Sequence, residues 1–197
     1  MSISELEKMV KDMKLKEKNN NTNEIINNIC GKTTLTEKCI YIRKYLPPQS
    51  VDIETIIKND LGINKAKDNQ SGDGCKNDIN YEIKYSGHSK ECKLNFVQIR
   101  PDHKIDYYIF IGYNMFENNI GKGYIFKIPS ENVYELIIKY GGYAHGTTKK
   151  LGKITKENIK GRSVEYALRC NPNKKGKNLE LWNELLKYEV EYKADNF

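Results

Sequence analysis

No run of 18 apolar residues occurs anywhere in the chain, which argues against a membrane-spanning helix. The start, Met-Ser-Ile-Ser-Glu-Leu-Glu-Lys, lacks the apolar core of a secretory signal, so a soluble, intracellular, cytoplasmic protein without a membrane partner is expected. The five cysteines (30, 39, 75, 92 and 170) are odd in number and form no Cys-x-x-Cys pair. Neither a disulfide framework nor a structural zinc site is favoured. Three isolated histidines (88, 103 and 145) supply no zinc catalytic set. The absence of Gly-x-x-x-x-Gly-Lys-Ser/Thr excludes ATP chemistry through a phosphate-binding loop of that type.

What is abundant is positive charge. The net charge is +7 over 197 residues, and the isoelectric point is near 9.0. Both favour polyanionic partners. Residues 149–177 hold ten Lys or Arg against two acids, Glu157 and Glu165.

The length suits one domain with a real core and a helical appendage. Ile3, Leu6, Met9, Val10, Met13 and Leu15 predict an amphipathic helix over 3–17, and the Asn-rich run 19–23 predicts a link after it. Ser50 is placed to cap a helix with Ile53, Ile56, Ile57 and Leu61 inward, ended by Gly62. Strands are expected over 94–100, 105–112 and 123–128, the second apolar enough to be covered on both faces. Ser130 is expected to cap a helix reaching Tyr140, and a last helix carries Leu179, Trp182, Leu185 and Leu186. This order predicts an α/β fold, a central mixed β-sheet flanked by helices with an N-terminal helical segment. Residues 1–30 form that segment and its link, and 31–197 form one domain.

Residues 79–86 alternate strictly. Ile79, Tyr81, Ile83 and Tyr85 point one way, while Asn80, Glu82, Lys84 and Ser86 point the other. Just upstream lies a turn rich in Gly, Asn and Asp. That turn can bring Asp73 back beside Glu82. Two carboxylates and an ammonium at one spot make a hard-cation site next to a group that can handle a water molecule. The plain alternative is a hairpin with a cross-strand ion pair at its rim. Asp78 is a weaker candidate than Asp73, because four residues leave too little chain to turn back.

Gly72-Asp73 followed by Glu82-Ile83-Lys84 resembles the signature of the PD-(D/E)xK nucleases, found in many type II restriction endonucleases. Gly72 stands where that family has Pro. The likeness spans about residues 50–114, from an acid-bearing helix to Phe96-Val-Gln-Ile-Arg100 and the buried strand after it. The resemblance implies a restriction endonuclease-like core, with Mg²⁺ held by Asp73, Glu82 and the backbone carbonyl of Ile83. It implies that Lys84 orients or helps deprotonate a water. Glu54 is the candidate for a further acid near the metal. Its alternative is an i,i+4 pair with Lys58 on a solvated face, and Asp52 and Asp60 are weaker choices for the same role.

The expected activity is Mg²⁺-dependent, site-specific hydrolysis of phosphodiester bonds in double-stranded DNA. A nicking enzyme or the catalytic subunit of a heterodimer is a close variant, and a homodimer suits a palindromic site. A non-catalytic basic nucleic-acid-binding module is the alternative of another class. For DNA contacts, Ser86, Gln98 and Arg100 are candidates near the site. His145, Thr147 and Lys149, in the Gly-rich run from Tyr140, are candidates beyond it, within a DNA-contacting part of about 140–178.

Overall fold

The computed structural model describes residues 21–48, 50–142, 151–161 and 163–197. The helix expected over 3–17 lies outside the described residues. Residues 21–30 are helical (α1), so Asn21 to Asn23 belong to a helix rather than a link. The cause is non-local: Ile29 is buried with Ile42, Leu46, Ile53 and Ile56, and Ile25 and Ile26 pack against them. Burial of one apolar stripe outweighs the weak helix propensity of the asparagines.

Helix α2 (Leu35–Tyr45) opens with a reciprocal capping box between Thr34 and Glu37. Helix α3 (Val51–Leu61) is capped by Ser50, whose side chain accepts from the Asp52 amide. It stops at Gly62, which takes the left-handed conformation that ends helices readily.

The main sheet has five strands in the order β1-β2-β3-β5-β6. They are β1 (Asn64–Lys65), β2 (Gly74–Lys76), β3 (Ile79–Ser86), β5 (Tyr107–Asn114) and β6 (Lys122–Pro129). The β3–β5 pair is parallel and the others are antiparallel, so the sheet is mixed, as the sequence predicts. Strand β5 is buried on both faces along nearly its whole length. Strand β4 (Leu94–Ile99) leaves this sheet and pairs antiparallel with β7 (Tyr166–Cys170).

Three layers result. Tyr81, Ile83, Ile109 and Ile111 face α2 and α3. Tyr108, Phe110, Phe126 and Ile128 face the β4–β7 pair, helix α4 (Ser130–Tyr140) and helix α5 (Lys177–Leu185). Ser130 is the first residue of α4 rather than its cap; Pro129 holds the cap position. The Ser130 hydroxyl instead donates to the Ile105 carbonyl at 2.6 Å, tying the helix start to the chain entering β5. Among the described residues, no helix is long and apolar enough to cross a membrane. The described cysteines are all free thiols.

A buried ion pair locks α1, α2 and α3 together. The Lys38 ammonium lies 2.9 Å from an Asp60 carboxylate oxygen and donates to the carbonyls of Ile29 and Cys30. Tyr192 donates to the same carboxylate. Truncating one partner of such a pair leaves a charge stranded in a dry site. Lys38→Ala is therefore expected to cost about 2–4 kcal/mol in denaturant unfolding; a change within the scatter of surface substitutions would remove Lys38 as the anchor of these helices.

Candidate active site

The site forms where a strand stops. Two residues of positive φ, Asn77 and Asp78, make the tight β2–β3 turn. The antiparallel ladder then runs back to Gly74 opposite Tyr81. Asp73 continues one step further: its amide donates to the Tyr81 carbonyl at 2.9 Å. Its side chain then takes over from the missing backbone, as Asp73 Oδ2 accepts from the Ile83 amide at 2.7 Å. Beyond this point, among the described residues, the edge of β3 has no strand neighbour. A strand residue's N–H and C=O lie on the same edge, so the Ile83 carbonyl shares the side on which Asp73 sits.

Gly72 makes this geometry possible. Its φ is 74°, and a Cβ there would lie 2.5 Å from the Tyr81 carbonyl oxygen. Proline, locked at negative φ, and any residue with a side chain are both excluded. Lys58 of α3 donates to the Asp73 carbonyl at 3.0 Å and fixes the same residue from the helix layer.

Glu82 and Lys84 stand on one face of β3, as their spacing predicts, with exposures of only 5% and 8%. Lys84 Nζ is 2.6 Å from Glu82 Oε1 and 3.9 Å from Asp73 Oδ2. The structure thus brings Asp73, Glu82 and Lys84 together. Asp78 is excluded from this group: it sits exposed in the turn, paired with Lys67 at 2.7 Å.

These groups line a cavity of about 640 Å³ shared with the first turn of α3, including Glu54, and with Gln98, Arg100 and His103. Glu54 therefore reaches the acid cluster, and among the described residues no ion pair joins it to Lys58. The two alternatives for its role are accounted for elsewhere. Asp60 is held by Lys38 and Tyr192, and Asp52 accepts from the Ser50 hydroxyl at the helix cap.

The electrostatics follow from three acids sharing a cleft. Burial, then the neighbouring Asp73 carboxylate, raise the Glu54 pKa to about 7. Burial also raises Glu82, with Asp73 adding to the shift against the pull of Lys84. Burial opposes the charged form of Lys84, yet Glu82 and Asp73 outweigh it and keep the ammonium protonated. The cluster carries more negative charge than Lys84 alone balances.

The remaining expected contacts divide. Ser86 shares the Glu82 face, but its hydroxyl accepts from the Asn95 amide at 2.8 Å and ties β4 to β3. Arg100 lines the cavity and is ion-paired with Glu165. Gln98 also lines it, although the strand that carries Gln98 belongs to the second sheet. His145, Thr147 and Lys149 lie outside the described residues. Within the basic tract, Lys156, Lys160 and Lys174 are paired with Glu135, Glu131 and Glu91. Asp102 accepts from the amides of Gly161 and Ser163, which joins this tract to the Arg100–His103 loop at the cavity. Asn69 escapes the sequence reading, while Lys58 and His103 appear there only as a helix-pair partner of Glu54 and as an isolated histidine. Only His103 had a local signal, lying three residues after Arg100.

Among the described residues, no group of three or more His, Cys, Asp or Glu side chains forms a ready-made metal cage. Mg²⁺ retains several waters and is commonly held by one or two carboxylates plus substrate phosphate. Asp73, Glu82 and the Ile83 carbonyl are oxygen donors of the kind that set requires. No family model, curated protein or solved structure matches the chain.

The Glu54 shift has a stability consequence with a definite sign. The folded state holds this proton up to about pH 7, from an ordinary value of 4.5. The contribution of Glu54 to stability is thus fully present below about pH 4.5 and is lost as pH rises through 7. With divalent cations chelated, Glu54→Gln is expected to gain roughly 1–2 kcal/mol at pH 8, after discounting for solvent screening, and nothing at pH 4. Thermal melts at the two pH values measure this; equal gains at both would show that Glu54 is not strained by its neighbours.

Proposed function

We propose that the protein is a Mg²⁺-dependent endonuclease that hydrolyses phosphodiester bonds in double-stranded DNA, similar to the type II restriction enzymes of the PD-(D/E)xK kind. The observation that carries this reading is the convergence of Asp73 and Glu82 on Lys84 at the open edge of β3. An ordinary rim ion pair would be solvated, whereas Glu82 and Lys84 are buried at the wall of a cavity.

Asp73, Glu82 and the Ile83 carbonyl are the groups that would hold Mg²⁺. When bound there, the metal supplies acidification of a water and shielding of charge on the phosphate. Lys84 is placed to orient the attacking water and to stabilise the negative charge that builds on the phosphoryl oxygens. Glu54, with its raised pKa, can accept a proton near neutrality or hold a water of the metal's shell. Gly72 and Lys58 act through Asp73 and are positioning residues. The basic tract beside the cavity suits the phosphates that flank a cut site. A symmetric pair of protomers would cut both strands of a palindrome, whereas a single protomer would nick.

Supercoiled plasmid incubated with Mg²⁺ is expected to give nicked or linear products with discrete ends, and none when the metal is chelated. Lys84→Ala and Asp73→Ala are each expected to lower the cleavage rate by about a hundredfold or more while DNA is still retained in a gel shift. Retention without cleavage by the unaltered protein would establish a binding module instead. Undiminished cleavage by either variant would remove that residue from the chemistry.

A further inference from the structure

The cavity's lining is mixed. It holds the acid cluster, Lys84 and Arg100. It also holds Asn69, Gln98 and His103, which are uncharged or readily neutral. Burial, then the nearby Arg100, lower the His103 pKa, so the ring offers one donor and one acceptor near neutrality.

Gln98 owes its place to a distortion. The β4–β7 register runs Phe96↔Leu168 and then Ile99↔Tyr166, so Val97 and Gln98 together oppose Ala167 alone. This bulge turns both residues outward and returns Ile99 to the core. It also holds Gln98 at a φ of 58°, a region where glycine is favoured and a side chain is strained. Among the described residues, the Gln98 carboxamide has no hydrogen-bond partner. A strained backbone that presents an unpartnered amide to a cavity marks a side chain kept for what it contacts.

We propose that Gln98 reads a nucleobase next to the cleaved phosphodiester, aided by Asn69 and His103 in the same cavity. A carboxamide presents an adjacent donor and acceptor, which matches N7 and the N6 amino group of adenine. A volume of about 640 Å³ falls within the range of sites that enclose small organic groups. Adenine is therefore the base expected at one position of the preferred sequence. The inference rests on the nuclease reading, and the experiment separates the two.

A pool of randomised duplexes is cut in Mg²⁺ by the unaltered protein, by Gln98→Gly and by Gln98→Glu, and the ends are sequenced. Gln98→Gly relaxes the positive φ, so its melting temperature should equal or exceed the parent's, which verifies folding. The parent is expected to favour adenine at one position, and Gln98→Gly to lose that preference by about tenfold or more. Gln98→Glu, which can only accept, is expected to shift the same position toward cytosine, whose N4 donates. Variants that keep the parent's base preference, at any rate of cutting, would overturn the assignment, as would a parent with no preference. A parent that cuts no duplex at all would defeat the nuclease reading and this inference with it.

Discussion

The early end of β2 is the constraint on which the site depends. A full-length strand there would satisfy the edge of β3 with backbone groups and fill the space beside Glu82 and Lys84. Because the ladder stops at Gly74, the Asp73 carboxylate substitutes for a carbonyl in accepting the Ile83 amide at 2.7 Å. One side chain thereby closes a backbone hydrogen bond and sits in register opposite Glu82. The same interruption leaves the cavity into which α3 and the β4 bulge project. A buried polar edge without such a substitute would cost free energy, so the Asp73 carboxylate also supports the strand edge.

Placement of the cluster is shared between layers. The strand spacing alone sets Glu82 and Lys84 on one face. Gly72 permits the close approach of the preceding loop to the Tyr81 carbonyl. Lys58 steadies Asp73 from the helix layer, and the first turn of α3 delivers Glu54. Three acids share the cavity with one buried ammonium, while Arg100 in the same lining is paired with Glu165. Burial, with Asp73 adding to it, raises the pKa values of Glu54 and Glu82.

Local features of the fold were legible because local rules govern them. Period-two alternation placed Glu82 and Lys84. Ser50 and Gly62 bounded α3, and continuous apolarity marked β5 as a covered strand. Glu54 was legible only as one of two alternatives, since helix spacing does not reveal what stands opposite. The misreadings are all non-local. Nothing in residues 94–99 signals that they pair with residues 166–170 instead of joining the main sheet. That pairing creates the bulge at Gln98 and draws the Ser86 hydroxyl to Asn95. The asparagines at 21–23 read as a link until their neighbours Ile25, Ile26 and Ile29 find a core built by α2 and α3. Ser130 was a sound cap by type, but the Ile105 carbonyl claims its hydroxyl.

The central claim is that Asp73 and Glu82 hold a divalent cation at the open edge of β3. Crystals soaked in Mn²⁺, a scattering substitute for Mg²⁺, test it directly. An anomalous peak within bonding distance of both carboxylates and the Ile83 carbonyl, with Lys84 displaced from Glu82, is the predicted result. A Lys84–Glu82 pair unchanged at saturating Mn²⁺, with no peak in the cavity, would contradict it.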